Sequence, residues 1–333
     1  MRENQTDVAV TAFITLTTLD NLHACWRLAS GGKHRAMRVQ RFAQDALHYL
    51  SIIQQRLRDR AYQFGPYHVF TVREKKWRDV VVVHWMLYRH LLPTWMPRFI
   101  HDTFGNLPGR GSHAAVARLA DFCRRPAARW VLQMDISKYF YSVRHAELLA
   151  RALRYQGDQD VRRLIEHLVQ SFCTDDRYDA LFPPGSPYYA TAAKGMPIGN
   201  LTSQLFANIY LCDFDHWSKQ QLGLRMYLRY VDDLVVLGET RAELQDHAEA
   251  ITERLASLGL VIHPRKVRLA PVAAGVPFLG YVAWPGHVSA GQYIRHRYHQ
   301  RLRQHETTGR DHSAALTAYR AMLAHTGSRR RSA

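Results

Sequence analysis

Two aspartates stand side by side between two runs of strand-forming residues, and no other feature constrains the fold as tightly. Met226-Tyr227-Leu228-Arg229 and Leu234-Val235-Val236-Leu237 read as β-strands, joined through Tyr230-Val231-Asp232-Asp233 by a tight turn. Two unit charges ~4 Å apart repel by roughly 4 kcal/mol at an effective dielectric near 20. An apolar hairpin with two carboxylates at its tip therefore calls for a positive partner. Magnesium removes the repulsion, and hard oxygen ligands are what it selects. A third carboxylate has a similar setting, because Trp130 to Asp135 is a short apolar strand that ends in Asp135. Two ions ~3.5–4 Å apart can clamp the attacking and leaving oxygens of a phosphoryl transfer. The plainer alternative is a solvated Asp-Asp turn, and the apolar flanks argue against it.

Charge points the same way. The chain carries 45 Lys+Arg against 28 Asp+Glu, a formal net charge of +17, and only seven of the basic residues are lysine. Such an excess predicts a polyanionic partner, either nucleic acid or an anionic membrane surface. Arginine favours phosphate, which guanidinium grips with two parallel hydrogen bonds. At 47% apolar residues the chain can bury a core, which excludes wholesale disorder. No apolar run reaches the ~20 residues that span a bilayer. The longest, Val80 to Leu87, has His84 inside it, and Met1 to Gln5 opens no signal peptide, so a cytoplasmic protein without a membrane partner is expected. Cys25, Cys123, Cys173 and Cys212 form no Cys-x-x-Cys pair and are expected to be buried thiols in a reducing compartment. No His-Glu-x-x-His occurs among the 19 histidines, and His296 and His299 are expected on a solvated, nucleic-acid-facing surface.

The length predicts two or three lobes. Residues 20–60 read as helical, Tyr67 to Val72 as a strand, and 80–100 as a buried helix broken by Pro93 and Pro97. A loop from Asn106 to Ser112 precedes a helix from His113 to Arg125. Ala146 to Gln170 reads as one helix, Asp175 to Lys194 as a loop and Leu205 to Trp217 as an amphipathic helix. Another helix is expected over Glu243 to Leu258, and Phe278-Leu279-Gly280-Tyr281 opens a further strand pair. This β-α-β-β-α-β order predicts an α+β fold, an antiparallel split-βαβ sheet backed by helices.

Five segments in this order resemble the motifs of reverse transcriptases. Tyr230-Val231-Asp232-Asp233 resembles their Tyr-x-Asp-Asp box, and Gln133-Met134-Asp135-Ile136-Ser137-Lys138-Tyr139-Phe140 their first palm motif. Lys194-Gly195-Met196-Pro197-Ile198-Gly199-Asn200-Leu201-Thr202-Ser203-Gln204 is similar to the segment that cradles template and nucleotide. Leu260-Val261-Ile262-His263-Pro264-Arg265-Lys266 resembles the segment with the late palm lysine, and Phe278-Leu279-Gly280-Tyr281 the primer grip. The form of the third segment, with Ile198 where many relatives have glutamine, is similar to the reverse transcriptases of diversity-generating retroelements, a bacterial and phage group of the group II intron-like lineage. Leu107 stands where that group usually has arginine before Pro108, and the basic stretch Val72 to Val80 is shorter than theirs.

The resemblance implies a right-hand polymerase. Fingers would occupy 1–129, the palm 130–285 with a finger insertion over about 145–195, and a short basic helical thumb and tail 286–333. It implies RNA-directed DNA synthesis from a dedicated template RNA, error-prone at adenines, for targeted gene diversification. An antiphage enzyme using a noncoding RNA or untemplated synthesis, and an inactive RNA-binding scaffold, are the alternatives. Asp135, Asp232 and Asp233, with the Ile136 carbonyl, would hold two magnesium ions, with manganese able to replace them. Lys266 would protonate the leaving pyrophosphate. Lys76, Arg78, Phe140, Ile198, Gly199, Gln204 and Tyr230 would meet the dNTP, with Phe140 the steric gate against ribose. Arg110, Ser203, Phe278, Leu279 and Gly280 would meet the template–primer hybrid. The implied partners are template RNA, the primer or cDNA hybrid, dNTPs, and either a small basic accessory protein or a noncoding RNA.

Overall fold

The structure, a computed structural model, describes residues 12–32, 37–64, 79–174, 193–308 and 312–324. The chain divides into two compact units. The first comprises Met1–Phe99, Lys138–Asp213 and Leu258–Leu260, and the second Ile100–Ser137, Phe214–Ser257 and Val261–Ala333.

The second unit is built on a five-stranded sheet. Its strands are β1 (Thr103–Phe104), β2 (Trp130–Asp135), β3 (Tyr227–Tyr230), β4 (Asp233–Gly238) and β5 (Arg268–Pro271), in the order β1-β3-β4-β2-β5. All neighbours are antiparallel except β1, which lies parallel to β3 at one edge. Five successive residues of β4 are buried, so this strand is covered on both faces. The helix Ser112–Cys123 supplies Ala115, Val116, Leu119 and Phe122 to one core, where they meet Val131, Leu228, Val235 and Leu237 of the sheet. The helix Arg241–Ser257 packs along β2, β4 and β5 with Leu244, Ile251 and Leu255 buried. Each such side chain contributes about 1.5–3 kcal/mol when fully buried.

The closing strand of the expected split-βαβ sheet is β5, not the Phe278 segment. Phe278 ends β6 (Val276–Phe278) and Tyr281 opens β7 (Tyr281–Ala283), which pairs with β8 (Val288–Ala290) in a separate three-stranded antiparallel sheet. Two basic-tail helices follow, Gln292–Thr308 and Ser313–Ala324, which pack on each other. His296 and His299 are exposed on the first, as expected.

The first unit is helical. Helix Asp79–Trp95 packs against Leu19–Ser30 and against Leu201–Tyr210, and the last of these against His145–Ala152. Pro93 lies inside its helix rather than ending it, and Pro97 falls in a 3-10 turn, Met96–Arg98. The single helix expected over Ala146 to Gln170 is two, because Asp158 caps Gln159–Gln170 by accepting from the backbone N–H groups of Asp160 and Val161. The expected amphipathic helix Leu205 to Trp217 is also two, Leu201–Tyr210 and Cys212–Gln220. The former is buried from Leu205 through Tyr210 and also at Thr202 and Ser203, so it has no polar face to solvent. No disulfide joins the cysteines; Cys25, Cys123 and Cys212 are buried as expected, whereas Cys173 is exposed. The expected strand Tyr67 to Val72 lies outside the described residues, as does most of the Asp175 to Lys194 loop. Among the described residues, no helix is long and apolar enough to cross a membrane.

Candidate active site

Antiparallel pairing of β2 and β4 brings the three aspartates together. Six consecutive register pairs run from Trp130 opposite Gly238 to Asp135 opposite Asp233. Side chains of directly opposed residues have Cβ atoms about 4.5–5.5 Å apart. Asp232 is one residue away in the turn, and its carbonyl accepts the backbone N–H of Ile136 at 3.1 Å. The electrostatics follow from this crowding. Burial first, then the charges of Asp232 and Asp135, push the Asp233 carboxyl up to about 6. Asp232 is raised for the same reasons, burial leading and the Asp135 charge adding to it. Carboxylates that hold protons against one another in a solvent-reaching site favour a divalent cation.

The hairpin turn itself is strained. Tyr230 pairs with Asp233, so only Val231 and Asp232 make the turn. Val231 has φ 56, a left-handed conformation costing a β-branched residue about 1–3 kcal/mol. Three contacts hold it. Its N–H donates to the Phe104 carbonyl at 3.2 Å, and its carbonyl accepts from Arg229 Nη1 at 2.8 Å. Its side chain occupies the space beside Gly105, where an added Cβ would lie 2.5 Å from Val231 Cγ2. Arg229 is fully buried and pairs with Asp215 through Nε (2.8 Å) and Nη2 (2.6 Å). Tyr227 and Thr103 hydroxyls donate to the same Asp215 carboxylate at 2.6 and 2.7 Å.

Lys266 arrives from the other edge. Residues 261–263 run beside the end of β2: Ser137 N–H donates to Val261, His263 N–H to Asp135, and Ile136 bridges Ile262. This delivers the 3-10 turn Pro264–Lys266, whose Lys266 Nζ sits 2.8 Å from Asp135 Oδ2. That hydrogen bond to Asp135 holds the Lys266 ammonium above its ordinary value.

No group of three or more His, Cys, Asp or Glu among the described residues forms a metal cage by itself. Magnesium is typically bound by one or two carboxylates together with waters and substrate phosphates. The donor set of Asp135, Asp232, Asp233 and the Ile136 carbonyl is all hard oxygen, and it matches such an ion.

Other expected site residues separate into three groups. In the second unit Tyr230 is half-buried, and burial with the nearby Asp233 charge raises its phenol. Arg110 Nη1 donates to the Ile100 carbonyl at 2.6 Å, so one arm of its fork is committed to its own loop. At the β6–β7 turn, Leu279 and Gly280 both have positive φ, and Gly280 is exposed. Phe278, expected with them to meet the template–primer hybrid, is 6% exposed and packs in the core.

The first unit gathers another set. Met196 N–H donates to the Phe140 carbonyl at 2.6 Å, and Gly195 N–H to Val143 at 2.8 Å. Phe140 is half-buried, Ile198 is 52% exposed, and Gly199 takes φ 87 with open space around it. Gln204 is half-buried in helix Leu201–Tyr210. Ser203, expected to meet the template, is 3% exposed in the same helix. Lys76 and Arg78 lie outside the described residues.

Sequence reasoning missed Arg229, Asp215 and Gly105. Arg229 directly precedes the Tyr-Val-Asp-Asp box, and a charged residue inside an otherwise apolar strand was a usable signal.

The protein-family model described as "Reverse transcriptase (RNA-dependent DNA polymerase)" matches residues 68–283. Among curated proteins, Protein YkfC of Escherichia coli (strain K12) is 26% identical over 241 residues, covering 61% of this chain. The match spans 60% of the length of YkfC. Among solved structures, telomerase from Candida albicans with a fragment of telomeric RNA aligns at TM-score 0.44 and 11% identity, over 65% of this chain and 40% of that one. Apo telomerase from Candida tropicalis aligns at TM-score 0.42 and 10% identity, over 61% and 38%.

Proposed function

The chain belongs to the reverse transcriptase (RNA-dependent DNA polymerase) family, and from that premise we propose that it copies a dedicated template RNA into cDNA. The observation that carries this reading is the pairing of Asp135 with Asp233 beside Asp232, which gathers three carboxylates at one strand end, where burial and then their mutual charge raise Asp233 to about 6. In the proposed arrangement β1 to β5 form the palm, the helical first unit contributes fingers, and the helices after β8 form a basic thumb.

Asp135 and Asp232, with the Ile136 carbonyl, would hold the metal, and Asp233 would add negative charge. Two divalent ions, magnesium or manganese, when bound supply a clamp on the attacking and leaving oxygens. The primer 3′-oxygen attacks the α-phosphate of the dNTP, and pyrophosphate leaves. Lys266, kept protonated beside Asp135, holds the proton that the leaving group takes. Phe140 places a ring against a ribose 2′-hydroxyl. Gly199 and Gln204 are assigned contacts to the dNTP, as is Tyr230, and Leu279 with Gly280 presents turn backbone to the primer.

Ile198 supports the finer reading, diversification of a target gene by adenine-directed errors. A glutamine at this place can hydrogen-bond around the template nucleotide, and isoleucine cannot. Exposed apolar side chain there leaves the pair less closely checked. A small basic accessory protein or a noncoding RNA completes the proposed assembly.

Two measurements test the proposal. The purified chain should extend a DNA primer on an RNA template with magnesium, and Asp232→Ala/Asp233→Ala should not. No extension by the parent chain refutes polymerase activity. Sequencing cDNA made with co-expressed flanking RNA should then find errors concentrated at template adenines. An accurate copy, or a homopolymer made without a template, refutes the diversification reading.

A further inference from the structure

We propose that Arg229 is a positioning residue for the catalytic turn, a role that rests on the polymerase reading of Asp232 and Asp233. The guanidinium is fully buried and carries two tasks. Nε and Nη2 grip Asp215 at 2.8 and 2.6 Å, which fixes the plane of the fork. Nη1 then reaches the Val231 carbonyl at 2.8 Å. Val231 is the left-handed residue of the turn, and its carbonyl carbon is bonded to the nitrogen of Asp232. Fixing that carbonyl fixes the peptide plane from which Asp232 starts.

The rest of the network holds the clamp still. Asp215 accepts from Tyr227 and Thr103 as well as from Arg229, so its oxygens cannot rotate away. Thr103 lies on β1, opposite Arg229, and Phe104 of the same strand takes the Val231 N–H. Both polar groups of the strained Val231 backbone are thereby held by the β1–β3 edge. Stability alone does not call for this design. Buried ion pairs are often replaced by apolar residues without loss. What an apolar pair cannot do is donate to the Val231 carbonyl.

Arg229→Lys keeps the charge against Asp215 but cannot grip Asp215 with two nitrogens and also reach Val231. Groups that orient metal ligands from behind typically change metal affinity or activity by about 10–100-fold when altered. The experiment compares the parent chain, Arg229→Lys and Leu119→Ala, a core truncation in the helix Ser112–Cys123. Mn2+ binding followed by electron paramagnetic resonance and single-turnover primer extension are read beside the melting temperature. Arg229→Lys is expected to lose about 10–100-fold in both Mn2+ affinity and rate. Leu119→Ala is expected to lower the melting temperature and leave both unchanged. Retention of both by Arg229→Lys, or their parallel loss in Leu119→Ala, overturns the proposal. Should Arg229→Lys not fold, Gly105→Ala pushes on Val231 from the opposite side without touching the buried charges. It is expected to show the same double loss, and parental Mn2+ affinity in it overturns the proposal. A parent chain that binds Mn2+ but makes no DNA refutes the polymerase reading, while the affinity ratio between parent and Arg229→Lys still decides the positioning role.

Discussion

Replacing Asp233 by asparagine should stabilise the protein while abolishing DNA synthesis. Its carboxyl is lifted from 3.8 to about 6 by burial and by the charges of Asp232 and Asp135, with Lys266 opposing. A folded-state value above the unfolded one means that the folded chain holds this proton more tightly. The resulting stabilisation is fully present below about pH 4 and is lost as pH rises through about 6. Two units correspond to about 3 kcal/mol at 1.36 kcal/mol each. Asp233 is only partly buried, and solvent screening reduces this to about 1–2 kcal/mol. Above neutrality the parent bears that cost and the asparagine variant does not. In a domain of 150–250 residues each kcal/mol moves Tm by about 2–4 °C, so the variant should melt about 2–8 °C higher at alkaline pH. The difference should shrink as pH falls from about 6 to 4. Added Mg2+ should narrow it too, because a ligand of the folded carboxylates stabilises only the parent. Thermal unfolding of both proteins in chelator across this pH range, with primer extension alongside, is the assay. A variant that melts at or below the parent at alkaline pH, or a gap independent of pH, would refute the claim that burial and the neighbouring carboxylates raise Asp233.

Three further outcomes follow from the same geometry. Ile198→Gln should improve discrimination opposite template adenine by roughly 10- to 100-fold, the 1–3 kcal/mol worth of a regained polar contact; an unchanged error spectrum on a defined RNA template would sink the role of Ile198. Phe140→Ala should raise rNTP relative to dNTP incorporation, by up to about 100-fold, since apolar pockets reject an added hydroxyl by no more than that; a constant ratio would remove Phe140 from sugar selection. Lys266→Ala should slow extension yet bind Mn2+ up to about fivefold more tightly, because the exposed Asp135 pair it gives up contributes at most ~1 kcal/mol; weaker Mn2+ binding would contradict the competition for Asp135.

The legible parts of the chain were those written in short periods. The apolar runs of β2, β3 and β4 and the two-residue turn between the latter stood out because alternation and length agreed. β5 did not, since Arg268-Leu269-Ala270-Pro271 carries a charge and a proline and is only half-buried at the sheet edge. The break after Ala152 went unseen because the apolar period continues through it, although Asp158 was a readable cap. Among the expected site residues, sequence spacing anticipated the strand end and turn that bear the carboxylates, but not the burial of Ser203 and Phe278. The Arg229–Asp215 pair joins residues fourteen apart through a fold that no local pattern encodes. Its neighbour Gly105 is more than a hundred residues from Val231, the side chain it accommodates.

The two-residue hairpin also sets what kinds of variation this protein can survive. Because Asp135 faces Asp233 only in one register, adding or deleting a single residue between Asp233 and Gly238 would shift β4 against β2 by one step. Every buried side chain of β4 would then exchange faces with its neighbours, and the carboxylates would part. Substitutions can be sampled here one at a time, but changes in length cannot. A population of such genes should therefore keep this stretch at constant length while the loops elsewhere grow and shrink, so the hairpin acts as a molecular ruler for its lineage.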